Sequence, residues 1–226
     1  MRQYMSFMRS KSGQATAFGD WYLLELAPRL LDSSEVKHLV VNVAVDPPAG
    51  LQLYNNEAKA GDGYDVVSQV WCESQEDFEA TLAPHAAQLA EWLDINYCYE
   101  MSETVEVDHP ERLAGNPAPG YKIMRGIFFH DDMPDSAVKR SWAHHANLAK
   151  KVHLALARYV RFWVEKIVTP GSPPIRGATN LQFATPEDVT ERYFVSPEGR
   201  EQIEHDIGHF IAGGLVRVFT REYVLR

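Results

Sequence analysis

The 226-residue sequence lacks most of the features that assign a chain to a functional class at sight. It has only two cysteines, Cys72 and Cys98, and no Cys-x-x-Cys pair, which excludes a disulfide framework and a cysteine metal clip. No run of eighteen apolar residues occurs, so no segment is expected to cross a bilayer as a helix. Gly-rich phosphate loops, nucleophile elbows and Walker-type motifs are also absent.

The chain also lacks dense positive charge. Its net charge is -9 at pH 7, and no Lys/Arg-rich run is present. Nucleic acids and anionic membranes both bind dense basic patches, so neither is an expected partner. Charge interrupts the segment 1–9 too early for a secretory signal. A cytoplasmic globular protein with reduced thiols is therefore expected.

What the sequence does contain is a segment that occurs twice, 121 residues apart. Trp21 is followed sixteen positions later by Lys37 and an apolar run, and Trp142 is followed at the same distance by Arg158 and a second run. Two further stretches match with an offset of 111, Ser74-Gln75-Glu76-Asp77 and Thr185-Pro186-Glu187-Asp188. Two copies of a unit of about one hundred residues predict a fused pseudo-dimer rather than a solenoid.

Each copy predicts the order strand, helix, strand, strand, helix, strand. In the first copy the strands are 2–8, 36–45, 65–72 and 95–107, with helices at 19–31, capped by Asp20, and after the cap residue Ser74. In the second copy the strands are 122–129, 158–168, 177–183 and 215–224, with helices at 136–156 and at 186–211, the latter interrupted at 196–199. The Asn/Pro/Gly stretch 116–120 marks the boundary, which gives domains 1–108 and 121–226 with a linker at 109–120. The predicted fold is α+β: two ferredoxin-like βαββαβ repeats fused into a pseudo-dimeric α/β barrel.

The spacing from Trp142 to Arg158-Tyr159-Val160 resembles the EthD-like family of the dimeric α/β-barrel superfamily. That family's helix carries a Trp, a His four residues later and an Arg-Tyr-Val-type strand start at this distance. Here Ala146 occupies the family's His position, with His144 and His145 just before it. The resemblance implies a cofactor-free enzyme acting on a small organic molecule, often in the catabolism of aromatic or ether compounds. The wider superfamily includes muconolactone isomerases, quinone-forming monooxygenases and haem-binding enzymes, so the fold does not select the chemistry.

Histidine is the usual proton carrier near neutral pH, and six of the nine histidines lie in the second copy. At about 100° per residue, His153 shares the helix face of Trp142 and two alanines, and His145 lies on its flank. This face predicts a pocket against the sheet in which His145 or His153 moves a proton. His130, at a strand end, is expected to assist. The alternatives are a hydrogen-bonded core His153, an exposed His145 and a His130 in a solvated turn.

A second set of histidines follows the helical repeat near the C-terminus. Glu201, His205 and His209 are metal-compatible residue types one turn apart. Ile203 and Ile207 mark the buried side of this helix, so a solvated face is the better interpretation. No metal or other cofactor is predicted.

Alternation along the strand 158–168 places Tyr159, Arg161 and Trp163 on one face and the valines and Phe162 on the other. The apolar set is expected to meet the helices, which would point Arg161 into the barrel. The same alternation adds Arg125 and Arg217 to that face, together with Asn180 and Gln182.

A buried guanidinium needs a partner. Either carboxylates such as Glu100 and Glu165 pair with these arginines, or a carboxylate-bearing ligand does so through bidentate geometry. Tyr159 and Trp163 would stack on a flat substrate or fill the core.

The leading hypothesis is a cofactor-independent enzyme of the isomerase, dehydratase or lyase type. It would use histidine acid–base chemistry on an aromatic or lactone-like organic acid, whose anionic group the arginines would hold. The alternatives are a cofactor-free monooxygenase, a haem or small-ligand binder with an inward His as axial ligand, and a non-catalytic protein. The loops 46–63 and 169–177 are expected to act as lids, and further assembly into a homo-oligomer remains open.

Overall fold

A computed structural model describes residues 1–49, 51 and 63–226, so much of the predicted lid 46–63 lies outside the described residues. The strands are β1 (Arg2–Ser10), β2 (His38–Val45), β3 (Val66–Cys72), β4 (Leu93–Asp108), β5 (Tyr121–Phe129), β6 (Leu156–Ile167), β7 (Gly177–Phe183), β8 (Ile211–Gly214) and β9 (Val218–Val224). The α-helices are α1 (Ala15–Trp21), α2 (Ala27–Leu31), α3 (Gln75–Leu82), α4 (Ala86–Trp92), α5 (Asp135–Val152), α6 (Pro186–Thr190) and α7 (Pro197–Ile207). None of the helices in these ranges is both long and apolar enough to span a membrane.

Eight strands close into an antiparallel barrel. The hydrogen-bonded order is β4, β1, β3, β2, β9, β5, β7 and β6, and β6 pairs back to β4. The short strand β8 pairs with the end of β5 beyond the part that meets β9. Closure satisfies the backbone groups that an open sheet would leave at its edges. The predicted α+β barrel is therefore confirmed, and each half of the chain contains the predicted element order.

The helix of the first half differs from its prediction at its start. It begins at Ala15, a π-helical segment (Tyr22–Leu26) joins α1 to α2, and Asp20 lies inside the helix rather than at its cap. Gly19 is buried, and a Cβ there would lie 2.8 Å from Val43 of β2. This glycine thus allows close packing of the helix on the sheet and does not mark a helix start. The other predicted cap is confirmed, since Ser74 and Asp77 form a capping box.

The second half departs from its prediction at two helix ends. The helix α5 ends at Val152, and His153 is its C-cap residue rather than part of a helix to 156. The predicted interruption of the helix 186–211 is observed, but it begins directly after Thr190, and α7 ends at Ile207. Ser196 caps α7 by accepting from Gly199 N–H at 3.1 Å. Gly213 and Gly214 lie in β8.

The face assignment of the arginines is wrong. Val160 and Phe162 pack inside the barrel with residues of other strands such as Met124. The side chains of Arg161 and Tyr159 instead face α5. Both faces of these strands are buried, because an eight-stranded barrel fills its interior with side chains while helices cover the outside. Alternation alone therefore separates the two faces without saying which is the interior.

Polar residues occupy one part of the barrel interior. The Lys122 Nζ atom lies 2.5 Å from Glu222 Oε2 and 3.2 Å from Gln69 Oε1, and Gln182 Nε2 donates to Glu222 Oε1 at 3.2 Å. Lys122 and Glu222 side chains are 2% and 4% exposed. Burial lowers the pKa of Lys122. Burial alone would raise the pKa of Glu222, but the charge and hydrogen bond of Lys122, together with Arg158 and Gln182, lower it. The predicted interior position of Gln182 is correct, and the contact of Lys122 in β5 with Gln69 in β3 joins strands of both halves.

Candidate functional site

A cavity of about 80 Å³ lies between the outer face of the sheet and the helices of the second half. Its lining is apolar apart from two arginines, two histidines, two tyrosines and one threonine. The lining residues are Ile123, Arg125, Ile127, Trp142, His145, Ala149, His153, Tyr159, Thr179, Leu181, Tyr193, Ile203, Ile207, Ile211 and Arg217. Five of the eight predicted site residues meet here, namely Arg125, His145, His153, Tyr159 and Arg217.

His145 is held by a carboxylate on the neighbouring helix. Its Nδ1 atom lies 2.7 Å from Asp206 Oδ2 of α7, and its side chain is 11% exposed. A carboxylate only accepts hydrogen bonds, so Nδ1 carries the proton and Nε2 keeps a lone pair. Burial lowers the pKa of His145, and the hydrogen bond and charge of Asp206 oppose this only in part. The result is a neutral, oriented imidazole at neutral pH.

His153 follows the last turn of α5. Its Nδ1 atom donates to the Tyr193 carbonyl oxygen at 2.6 Å, and the two rings lie 4.6 Å apart. Burial lowers the pKa of His153 to about 4. Eight residues separate the two histidines, about 12 Å along a helix axis. His153 is therefore a neutral hydrogen-bonding group at a different part of the cavity from His145.

The two arginines give the cavity its charge. Arg125 belongs to β5, and Gly214 of β8 makes room for it, because a Cβ there would overlap the guanidinium. Arg217 immediately precedes β9 and is 8% exposed. Tyr159 of β6 is buried, and desolvation raises its pKa, so it is a neutral phenol. Two guanidinium groups in the lining are of the type that binds carboxylates through bidentate geometry.

The other three predicted site residues lie outside this lining. The Nε atom of Arg161 donates to Glu106 Oε1 at 2.9 Å, its Nη2 also contacts that oxygen, and its guanidinium lies 5.3 Å from the Trp142 ring. Trp163 stacks on Phe129 with centroids 6.0 Å apart. His130 Nε2 donates to the Gly208 carbonyl oxygen at 3.1 Å.

The predicted ion-pair partners also differ from those observed. Glu100 pairs with Arg2, and Glu165 accepts from Ser102 Oγ. Glu106 pairs with both Arg161 and Lys150, and these two cations outweigh burial to lower its pKa. Glu106 was not predicted, because a bulge in the β4–β6 ladder between residues 105 and 107 changes which side chains share a face.

Asp206 is the other functional residue that the sequence prediction missed. It falls on the stripe formed by the buried Ile203 and Phe210 and the half-buried Ile207, at the spacing of one helix face. The presence of a carboxylate on an otherwise apolar helix face was the sequence feature that could have identified Asp206. Glu201 and His205 line an open surface depression instead, and no cluster of three metal-binding side chains occurs among the described residues.

Haem binding is one of the alternatives that the sequence resemblance left open, and the cavity allows a test of whether haem fits. A neutral imidazole whose Nδ1–H is bound by a carboxylate has the chemistry of an axial ligand. However, the cavity of about 80 Å³ is far smaller than the sites of roughly 300 Å³ or more that enclose drug-sized ligands. The observed lining does not fit a macrocycle.

No protein-family model matches the sequence, and no curated protein is similar to it. The fold is similar to that of an anthrone oxidase-like protein, with a TM-score of 0.64 and 11% identity over 100% of this chain and 91% of that chain. It is also similar to that of a proposed monooxygenase from Fusobacterium nucleatum subsp. nucleatum, with a TM-score of 0.56 and 10% identity over 100% of this chain and 92% of that chain. A chlorite dismutase from Candidatus Nitrospira defluvii has a TM-score of 0.50 and 13% identity over 96% of this chain and 90% of that chain. At these identities the likeness is one of fold alone, and that fold is the dimeric α/β barrel.

Proposed function

We propose that this protein is a small-molecule enzyme in which His145 transfers a proton and Asp206 orients it. The observation that carries the proposal is the 2.7 Å contact from His145 Nδ1 to Asp206, in the wall of a cavity that also contains Arg125 and Arg217. The carboxylate fixes the tautomer, so the lone pair of Nε2 is available to accept a proton. A base that is neutral near pH 7 meets the main requirement of general base catalysis.

The proposed reaction is an isomerisation or elimination of a small organic anion. Arg125 and Arg217 hold its carboxylate, and His145 Nε2 takes a proton from the adjacent activated carbon. In an isomerisation the proton returns from Nε2 to a second carbon. In an elimination the electron pair expels a leaving group. Both arginines lower the energy of the negative charge that develops after proton removal.

Cavity size narrows the substrate class. An apolar cavity of about 150 Å³ holds a benzene ring, whereas this one has about 80 Å³. A compact lactone-like or short-chain acid is therefore the better candidate, and an aromatic acid requires α7 to move away from the sheet. We further propose that the chain is related to the EthD-like family and that its two halves arose by duplication. The element order that the two halves share supports the duplication.

The test is carbon-acid exchange in D₂O followed by ¹H NMR. The probes are γ-lactone carboxylates and short 2-oxo acids, and the expected result is enzyme-dependent loss of one carbon-bound proton signal. His145→Gln should slow exchange roughly 10²- to 10⁴-fold, since it removes the base. Asp206→Asn should lower kcat more than it changes KM, because the substituted amide no longer enforces one tautomer.

The matched control is His144→Gln on the same helix, where the side chain is exposed. This variant should exchange at the rate of the unmodified protein. Equal rates for His145→Gln and His144→Gln would refute the assignment of the base.

A cofactor-free monooxygenase is the second candidate, favoured by the fold likeness to an anthrone oxidase-like protein and a proposed monooxygenase. The same base would deprotonate an electron-rich substrate, and dioxygen would be the oxidant. Oxygen consumption dependent on both substrate and His145 would favour this reaction. Exchange without oxygen consumption would favour isomerisation.

A further inference from the structure

A second cleft lies on the far side of Trp142, outside the cavity that holds His145. It has a volume of about 240 Å³ and is lined by Ser102 and Thr104 of β4, Lys139 and Trp142 of α5, and Arg161 and Trp163 of β6. The β4–β6 ladder pairs Ser102 with Trp163 and Thr104 with Arg161. Each hydroxyl therefore lies beside a large side chain on the face toward α5.

Each indole in this cleft has a cation over it. Lys139 Nζ lies 4.3 Å from the Trp163 ring centroid, and the Arg161 guanidinium lies 5.3 Å from that of Trp142. Arg161 is fixed by Glu106, whereas Lys139 forms no ion pair with any residue in the described part of the chain. A cation–π contact at an exposed site is weak, so the Lys139 ammonium can turn toward an anion without losing a carboxylate partner.

The charge balance around the cleft is positive. Glu106, a half-buried carboxylate, is already bound by both Arg161 and Lys150. The other nearby carboxylate, Glu165, accepts from Ser102 Oγ at 2.6 Å. Three cations, Lys139, Lys150 and Arg161, thus accompany two carboxylates, Glu106 and Glu165, which leaves one positive charge in excess and favours an anionic ligand.

Trp142 separates the cleft from the first cavity, because it lines both. The indole is fixed against β7, where a Cβ on Gly177 would lie 2.7 Å from two of its ring atoms. The two sites can therefore be occupied separately, and the second does not depend on proton transfer by His145.

We propose that this cleft binds a monocyclic aromatic carboxylate. Its volume exceeds the roughly 150 Å³ that holds a benzene ring and leaves room for a carboxylate group. The ring would pack against the indoles of Trp142 and Trp163, and the carboxylate would meet the Lys139 ammonium and the Thr104 hydroxyl.

Benzoate is the probe, titrated into the full-length protein with calorimetry and ¹H–¹⁵N NMR of the indole N–H groups. Saturable binding and a shift of the Trp163 indole signal are expected. Lys139→Gln should weaken binding by at least about tenfold. The matched control, Arg140→Gln, removes the same charge from the next exposed position of α5 and should change the Kd by less than about twofold.

Three further measurements separate this site from its rivals. His145→Gln should leave benzoate binding unchanged, and a weakened Kd would place the ligand in the first cavity and overturn the proposal. Benzyl alcohol, which lacks the charge, and cyclohexanecarboxylate, which lacks the aromatic ring, should both bind more weakly than benzoate. Binding as tight as that of benzoate by either probe would overturn the assigned ligand class, and so would absence of saturation or equal effects of Lys139→Gln and Arg140→Gln.

Discussion

His153 should make the protein lose stability in mild acid. In the folded chain burial lowers its pKa from 6.5 to about 4, whereas in the unfolded chain the imidazole is solvated. Between these two values the unfolded chain binds a proton that the folded chain does not. A histidine with a lowered folded-state pKa therefore contributes stability that is full above pH 6.5 and is lost as the pH falls toward 4.

The magnitude follows from the shift. A difference of about 2.5 pKa units corresponds to roughly 3.4 kcal/mol over the whole range. Between pH 8 and pH 5 the free energy of unfolding should fall by roughly 2 kcal/mol from this group alone. His153→Asn isolates it, because the Asn amide can still donate toward the Tyr193 carbonyl oxygen but does not titrate.

Urea unfolding at pH 8 and pH 5 measures the effect. From pH 8 to pH 5 the free energy of unfolding should fall by about 2 kcal/mol more in the unmodified protein than in His153→Asn. This difference does not depend on how much the substitution destabilises the protein at pH 8. His144→Asn, at an exposed position of the same helix, should retain the full pH dependence. Equal losses for the unmodified protein and His153→Asn would refute the buried neutral state of His153.

Two further sets of substitutions test the buried ion pair of the barrel interior and the packing of the Trp142 indole. Lys122→Met should destabilise the fold by about 3–5 kcal/mol in urea unfolding, because it leaves Glu222 charged and buried. The double variant with Glu222→Met should recover most of that loss, and additive losses would contradict the ion-pair assignment. Gly177→Ala should cost about 1–3 kcal/mol and shift the fluorescence of Trp142, since the added Cβ meets its ring at 2.7 Å. Unchanged fluorescence and stability would show that the indole is not held there.

The order of the elements could be predicted because each one has a local cause. The strand Gly177–Phe183 lies where the alternation and the flanking Pro/Gly loop predicted it. Ser74 caps its helix because Asp77 stands at the position that completes the box. The predicted start of the first helix near Gly19 was wrong, because this glycine allows close packing against Val43 and does not mark a turn of the chain. The helix begins at Ala15.

The site could be predicted only in part. Helical spacing brought His145 and His153 to the same cavity because residues on one face of a helix stay together whatever they pack against. The partner of His145 depends on how α7 packs on α5, which no local pattern encodes. For the same reason the arginines were placed on the correct strands but on the wrong face. The roles assigned to all eight residues stay predictions, and His130, Arg161 and Trp163 lie outside the lining of the cavity.

The structure of the first half gives a physical reason why the proposed proton-transfer group lies in the second half. The position 121 residues before His145 is Leu24, which is 73% exposed. It lies in the π-helical segment Tyr22–Leu26, where the wider turn rotates the helix face and brings Tyr22 and Leu26 to the sheet. The rings of Trp21 and Trp92 stack 5.6 Å apart over that core. A histidine at position 24 would therefore point to solvent, so a second site would require the helix to regain a regular turn.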